Sequence, residues 1–401
     1  MKQLLPAIFC FCFFTGSSQF KEDNVKYKTV FPEDLCKTLK DNPGYILLDV
    51  RSEGEYRDTL SSSPALNLGH MQNAMNVNVS QLPQRWKELS AYKDRPVFVY
   101  CYSSQRSRRA SKLLADSGFT KIFNINGGIG NFYAQDIQLY PCDNYSLVTN
   151  LPYKIVSPKQ LAQSKANYYI IDLRSDSAFT GKSLSERAKT LGRFSGAVNM
   201  PFEKFQSGAL EVPDKPVLLV DEFGAQSPVA AKILLQKGFK DVSILFNGMD
   251  EWLKYITNTT EKPLIEWKTF ADYRMLSPAE FAKWMGEKKS FKLVDVRPRE
   301  QFLNQSKNSW QNIGNIRNAL NIPYSELATL SMPPVKSEPL VLYGFNSENE
   351  IFSAAKWFRD QGHRNVYVLQ GGIFNVRWAS HNLKNQKHLS DWVVNVPAEN
   401  Q

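Results

Sequence analysis

Cysteine and histidine are scarce, at five and four in 401 residues. Five cysteines exclude a disulfide scaffold, and four histidines with no clustered ligands leave a metal site without support. Lysine and arginine outnumber aspartate and glutamate 49 to 39, yet no run of basic residues exceeds two. The excess of +10 is therefore diffuse. It does not form a nucleic-acid stripe, and it reads as mild attraction for anions, small anionic molecules included. No long apolar segment follows the N-terminal one, so no membrane span is expected in the mature chain. Disorder is excluded by what is present: 42% hydrophobic and 12% aromatic residues supply enough apolar surface to offset ordering entropy. At roughly 100–200 residues per domain, the length implies about two to four domains.

The N-terminus has its own character. Lys2 supplies a positive start, Leu4 to Phe14 an apolar stretch, and Thr15 to Ser18 small residues. That is the form of a secretory signal peptide over residues 1–18, cleaved to leave Gln19 first, so a periplasmic or secreted protein is expected. Cleavage removes Cys10 and Cys12 and leaves Cys36, Cys101 and Cys142. An odd count in an exported chain means at least one thiol is unpaired or reactive. Cys36 falls in the helical stretch Pro32–Asp41 and Cys142 in a linker. Whether those two pair is left open by the sequence. Sequons such as Asn144-Tyr-Ser146 are expected by chance.

The rest of the chain repeats itself. Asp49, Asp172 and Asp295 each end a strand-like run and stand 123 and 123 residues apart (172 − 49 and 295 − 172). Each is followed two residues later by Arg51, Arg174 or Arg297, then by a turn opened by Gly69, Gly192 or Gly314. A Pro-led apolar strand comes next (from Pro96, Pro216 and Pro339), then a helical stretch, one more strand, and a turn at Gly128, Gly248 or Gly372. Short β-branched runs alternating with helical patterns indicate parallel strands covered by helices. Ser157-Pro158 and Ser277-Pro278 read as helix starts, and Ala110, Leu113 and Leu114 as a buried stripe of a helix stopped by Gly118. The fold class is α/β, as three tandem domains over residues 25–136, 152–257 and 272–385, joined by linkers at Ile137–Leu151 and Asn258–Met275.

Repetition supplies an internal control. Asp-x-Arg occurs in all three units and is assigned to the fold, as a carboxylate held at a strand end. The residue after the Pro-led strand differs: Cys101, Asp221 or Gly344, with Arg106, Gln226 or Asn349 five residues on. Only the first unit pairs a cysteine with an arginine. A residue leaving the carboxyl end of a parallel strand, just before a helix, sits where open α/β sheets place ligands. Loop N–H groups and the helix N-terminus converge there, so a thiolate is stabilised. Arg106 adds a fixed charge able to hold an anion bidentately, and Ser103, Ser104 and Ser107 can donate hydrogen bonds to sulfur. His70, present only in the first unit, is assigned a structural hydrogen bond.

The Leu48-Asp49-Val50-Arg51 strand, Gly69-His70-Met71 with Ala74 and Asn76, the loop Cys101-x4-Arg106-Ser107 and Gly127-Gly128 together form one pattern. With these features the chain resembles rhodanese-like sulfurtransferases over nearly its whole mature length, as three tandem rhodanese domains. The resemblance implies that Cys101 is the nucleophile and becomes a persulfide. It makes Tyr102, Ser103, Ser104, Gln105, Arg106 and Ser107 the substrate-binding loop, and it requires no cofactor and no metal. The implied partners are a small anionic sulfur donor such as thiosulfate, and cyanide, a thiol or a sulfur-acceptor protein. Related phosphatases and arsenate reductases have five residues between cysteine and arginine, whereas here there are four, Tyr102 to Gln105. The family usually has glycine where this chain has Ser104, whose side chain can change how closely the loop amides approach sulfur. The resemblance also makes the second and third domains inactive. The alternatives are a non-catalytic binding scaffold and a phosphatase or arsenate reductase of the same fold.

Overall fold

The computed structural model describes residues 26–135, 146–165, 167–207, 212–330 and 338–397. The expected signal peptide and Cys142 lie outside them. Within them, the strands form three five-stranded parallel sheets. The first contains β1 (Lys28–Val30), β2 (Ile46–Asp49), β3 (Met75–Asn76), β4 (Val97–Tyr100) and β5 (Ile122–Ile125), in the order β1-β5-β4-β2-β3. The second contains β6 (Lys154–Val156), β7 (Tyr169–Asp172), β8 (Val198–Asn199), β9 (Val217–Val220) and β10 (Val242–Leu245). The third contains β11 (Arg274–Leu276), β12 (Lys292–Asp295), β13 (Leu320–Asn321), β14 (Leu340–Tyr343) and β15 (Val366–Leu369). Both repeat the strand order of the first.

The central strands β4, β9 and β14 are buried at every residue, as continuous apolar runs require when helices cover both faces. Alternation along β4 sends Phe98 and Tyr100 into one core cluster and Val97, Val99 and the following Cys101 into another. The covering helices that matter for the site are α1 (Gln105–Asp116), α2 (Gly128–Gln135), α3 (Ser227–Gln236), α4 (Gly248–Asn258), α5 (Asn349–Asp360) and α6 (Gly372–Asn382). On α1, Ala110 and Leu114 are buried and Leu113 half-buried. Ser157 and Ser277 cap their helices, accepting from Gln160 N (3.0 Å) and Glu280 N (3.1 Å).

Each Asp-x-Arg triplet forms the same buried ion pair. Arg51, Arg174 and Arg297 donate from Nε and Nη2 to Asp49, Asp172 and Asp295, and Nη2 also donates to Gly69 O, Gly192 O or Gly314 O. The pair therefore ties the end of the second strand to the glycine turn that follows it. Asn76, Asn199 and Asn321 complete the knot by donating to the backbone carbonyls of the same Asp and Arg. The linkers do more than connect. Leu147–Val148 pairs antiparallel with His70–Met71, and Trp267–Lys268 with Arg193–Phe194. Val393–Val394, after the third domain, does the same for Asn315–Ile316. These ribbons have two residues per strand, too short for a periodicity signal. Cys36 lies on helix Pro32–Lys40 and is disulfide-bonded, while Cys101 is a free, buried thiol.

The domains touch pairwise. Tyr133 stacks on Phe246 with ring centroids 5.4 Å apart, Ser185 donates to Asn349 Oδ1 (2.8 Å), and Lys384 pairs with Asp34 (2.8 Å). Among the described residues, no helix is long and apolar enough to cross a membrane.

Removing one member of a fully buried pair strands the other charge. Arg297→Ala is therefore expected to destabilise the third domain by about 3–5 kcal/mol in urea unfolding. Lys283→Ala, on an exposed pair with Glu287, should leave the same transition in place.

Candidate functional site

Cys101 directly follows β4 and precedes α1 by three residues, and its side chain has no exposed surface. Two close backbone approaches shape the turn around it. Ile129 N and Gly130 N at the start of α2 donate to Cys101 O (2.8 Å) and Tyr102 O (2.9 Å). That approach leaves no room for a side chain at Gly128, where a Cβ would lie 2.2 Å from Cys101 O. Gly248 and Gly372 face Asp221 O and Gly344 O in the same way, at 2.4 and 2.3 Å. The glycine in all three turns thus serves the fold.

The second domain shows what this loop is built to hold. There Asp221 takes the place of the cysteine, and its buried carboxylate accepts from Gly224 N, from Gln226 N (2.5 Å) and from Ser227 N (2.7 Å). Burial pushes the Asp221 carboxyl up, against the pull of these three amides. The matching groups in the first domain are Ser104 N, Arg106 N and Ser107 N, at the start of α1, where helical N–H groups have no helical acceptor. The third domain ends its strand on Gly344, which offers no side chain to such a cradle.

The loop residues divide their work differently from the sequence-based expectation. Of the three serines, only Ser107 meets the sulfur, with Cys101 Sγ 3.6 Å from Ser107 Oγ, which donates onward to Asn124 Oδ1 (2.7 Å). Ser104 turns away. Its backbone is left-handed (φ 80°), its Oγ donates to Asn126 Oδ1 (3.0 Å), and Gly127 N donates to that Oγ. The left-handed conformation costs a non-glycine residue on the order of 1 kcal/mol, and these two hydrogen bonds offset it. Ser104 therefore occupies a glycine position without filling the loop. Tyr102 reaches the second domain, accepting from Asn247 Nδ2 at 3.2 Å. Ser103 lines a cleft between the domains, and Gln105 begins α1.

Arg106 corrects a second expectation. Its guanidinium is already engaged bidentately by Glu55, at 2.7 Å from each Nη. Glu55 in turn closes a capping box with Ser52. Burial pushes the Glu55 carboxyl up, but Arg106 and Ser52 more than offset it and hold it below the ordinary 4.5. Arg106 is thus an ion-paired wall of the loop, with two of its five N–H groups taken by Glu55. The sequence reading missed Glu55, Asn124 and Asn126, yet the repeats carried the signal. The equivalents are Ala178 and Gln301, Ile244 and Val368, and Phe246 and Gln370. The third unit keeps a polar side chain at two of these positions, but the set Glu55, Asn124 and Asn126 occurs only in the unit that has Cys101 and Arg106. His70 Nδ1 lies 3.0 Å from Tyr56 O with its ring stacked on Tyr56, as a structural histidine would.

Asn126 also links the loop to the third domain. Its Nδ2 donates to His381 O (3.1 Å), while Arg108 Nη2 donates to both Asn126 Oδ1 (3.1 Å) and Asn382 Oδ1 (3.2 Å). Among the described residues, no group of three or more His, Cys, Asp or Glu side chains is placed to hold a metal ion.

Because the folded carboxyl of Glu55 titrates below its unfolded value of 4.5, its stabilising contribution is present above that value. It is lost as the pH falls through the lowered folded value. The stability gap between wild type and Glu55→Gln should therefore be wide at pH 7 and shrink progressively as the pH is taken below 4.5, in urea unfolding along a pH series.

Comparison with known proteins agrees with this architecture. The model of the rhodanese-like domain family matches residues 32–135, 157–255 and 277–378. The protein YqhL of Bacillus subtilis is 36% identical over 105 residues, 25% of this chain and 74% of that protein. A tRNA uridine(34) hydroxylase of Cronobacter sakazakii is 30% identical over 95 residues, 23% of this chain and 24% of that protein, so the chain spans about a quarter of its length. The crystal structure of a thiosulfate sulfurtransferase from Pseudomonas aeruginosa aligns over 86% of this chain and 66% of that one, at 18% identity and a TM-score of 0.23. With three matches that together cover most of its length, the chain belongs to the rhodanese-like domain family.

Proposed function

We propose that this protein is an exported sulfurtransferase that carries a sulfane sulfur on Cys101. The observation that supports the reading is the pair of homologous loops. In the second domain three loop amides hold a carboxylate at the strand end. The equivalent positions in the first domain follow a cysteine instead, and a negatively charged sulfur is a ligand that such a cradle suits. Thiosulfate serves as donor: the Cys101 thiolate attacks the outer sulfur, the S–S bond of thiosulfate breaks, and sulfite leaves with the bonding pair. The product is a Cys101 persulfide, whose anionic terminal sulfur takes the place that Asp221 fills in the second domain. Cyanide, a thiol or an acceptor protein then removes that sulfur. Arg106, neutralised by Glu55, holds the loop closed around the sulfur and leaves donor binding to the amides. The four-residue spacing favours sulfur over a tetrahedral oxyanion and sets aside a phosphatase.

One observation favours a second reading, a non-catalytic scaffold: Cys101 is fully buried and does not line the interdomain cleft. The two readings differ in a single measurement. Thiosulfate treatment should add the mass of one sulfur to wild type and none to Cys101→Ser, and thiocyanate formation from thiosulfate and cyanide should fall to background in that variant. No mass gain in wild type leaves only the scaffold. Export rests on residues 1–18. The mature protein is expected to begin at Gln19 on N-terminal sequencing, and an intact Met1 in the exported fraction would reject the signal peptide.

A further inference from the structure

The three domains enclose a cleft of about 630 Å³, to which each contributes the loop after its central strand. Its charge runs against that of the whole chain. Two cations line it, and both are already paired: Arg187 with Glu222 and Asp250, and Lys254 with Asp250 and Glu251 (2.9 and 3.3 Å). Two positive groups thus meet three carboxylates. Asp250 and Glu251 line the cleft and Glu222 lies outside it; a third lining carboxylate, the exposed Glu348, has no hydrogen-bond or ion-pair partner among the described residues. Desolvation, with Glu350 nearby, pushes its carboxyl up, and the Arg297 guanidinium offsets this only in part. Around this surplus stand aromatic rings from every domain: Tyr102, Phe223 and, four residues apart on α6, Phe374 and Trp378. Residues at that spacing share a helix face. One ring already carries a cation, since the Arg187 guanidinium lies 4.4 Å from the Phe223 centroid.

We propose that this cleft binds a small organic cation, held against the faces of the aromatic rings and neutralised by Glu348. The proposal rests on the sulfurtransferase reading only in making that ligand the sulfur acceptor, because Tyr102 and Ser103, which line the cleft, directly follow Cys101. In the transfer, the acceptor's thiolate attacks the outer persulfide sulfur and the S–S bond breaks. Cys101 leaves as thiolate and the acceptor becomes the persulfide, with no oxidant or reductant consumed. Donor and acceptor then differ in charge: the anionic donor meets the amide cradle and the cationic acceptor the aromatic, acidic cleft.

Calorimetric titration of the full chain, without any sulfur donor, tests the site. Phenyltrimethylammonium is expected to bind at least about tenfold more tightly than benzenesulfonate, an anion of comparable size. Glu348→Gln and Trp378→Leu should each weaken the cation about three- to tenfold, and Cys101→Ser should leave it unchanged. Equal affinity for the two probes, absence of cation binding, or indifference to both cleft substitutions overturns the site. The acceptor role is read separately on the persulfide form. Cysteamine should discharge it at least about tenfold faster than 2-mercaptoethanesulfonate, and phenyltrimethylammonium should slow cysteamine alone. Equal discharge overturns the acceptor assignment. Cation binding without any persulfide on Cys101 rejects the sulfurtransferase reading and leaves the cleft site standing.

Discussion

A helix that starts at the end of a buried central strand brings amide N–H groups with no helical acceptor into a place that water reaches poorly. Something must face those amides, and the residue that ends the strand decides what it is. In the second domain Asp221 supplies a carboxylate and takes three of them itself. In the first domain the residue just past the strand is Cys101, and in the third it is Gly344. The same backbone therefore yields a loop filled by its own carboxylate, a strand followed by a buried free thiol, and one followed by no side chain. What surrounds the loop is common to all three domains: the turn glycine that lets the next helix reach the backbone past the strand, the Asp-x-Arg knot, and the ribbon that pairs with the glycine turn.

The first domain differs from its siblings as a group of residues. Glu55, Asn124 and Asn126 accompany Cys101 and Arg106, and each has a defined contact: Glu55 neutralises Arg106, Asn124 orients Ser107, and Asn126 anchors the left-handed Ser104. The anchor extends outward, since Asn126 and Arg108 are bonded to His381 and Asn382 at the end of α6. The third domain, which lacks a nucleophile, thereby helps to set the loop of the first. Tyr102, bonded to Asn247, gives the second domain a similar hold. Two copies without the cysteine are structurally joined to the candidate site through these hydrogen bonds.

Net charge illustrates how composition and local electrostatics part company. An excess of +10 suggests attraction for anions, and the second-domain loop amides do hold one, the chain's own Asp221 carboxylate. The cleft shared by the three domains nevertheless carries surplus negative charge, because its two cations are outnumbered by the carboxylates beside them. Arg106 follows the same rule. A guanidinium placed by sequence at an anion site turns out to have its charge already met by Glu55, a partner 51 residues away.

The sequence by itself determined the three α/β units, their buried central strands, the helix starts at Ser157 and Ser277, and the place of Cys101 at a strand-to-helix turn. Each is set by local pattern: hydrophobic runs, caps, and glycines where backbones meet. The reach of Ser104 toward Asn126, the sequestering of Arg106, the pairing of linker segments with the glycine turns, and the shared cleft were decided by tertiary structure alone. A side chain's partner depends on which distant residue the fold brings within about 3 Å of it, and two-residue ribbons carry no periodicity to read. Local rules place a residue on an element, while long-range packing chooses what that residue touches.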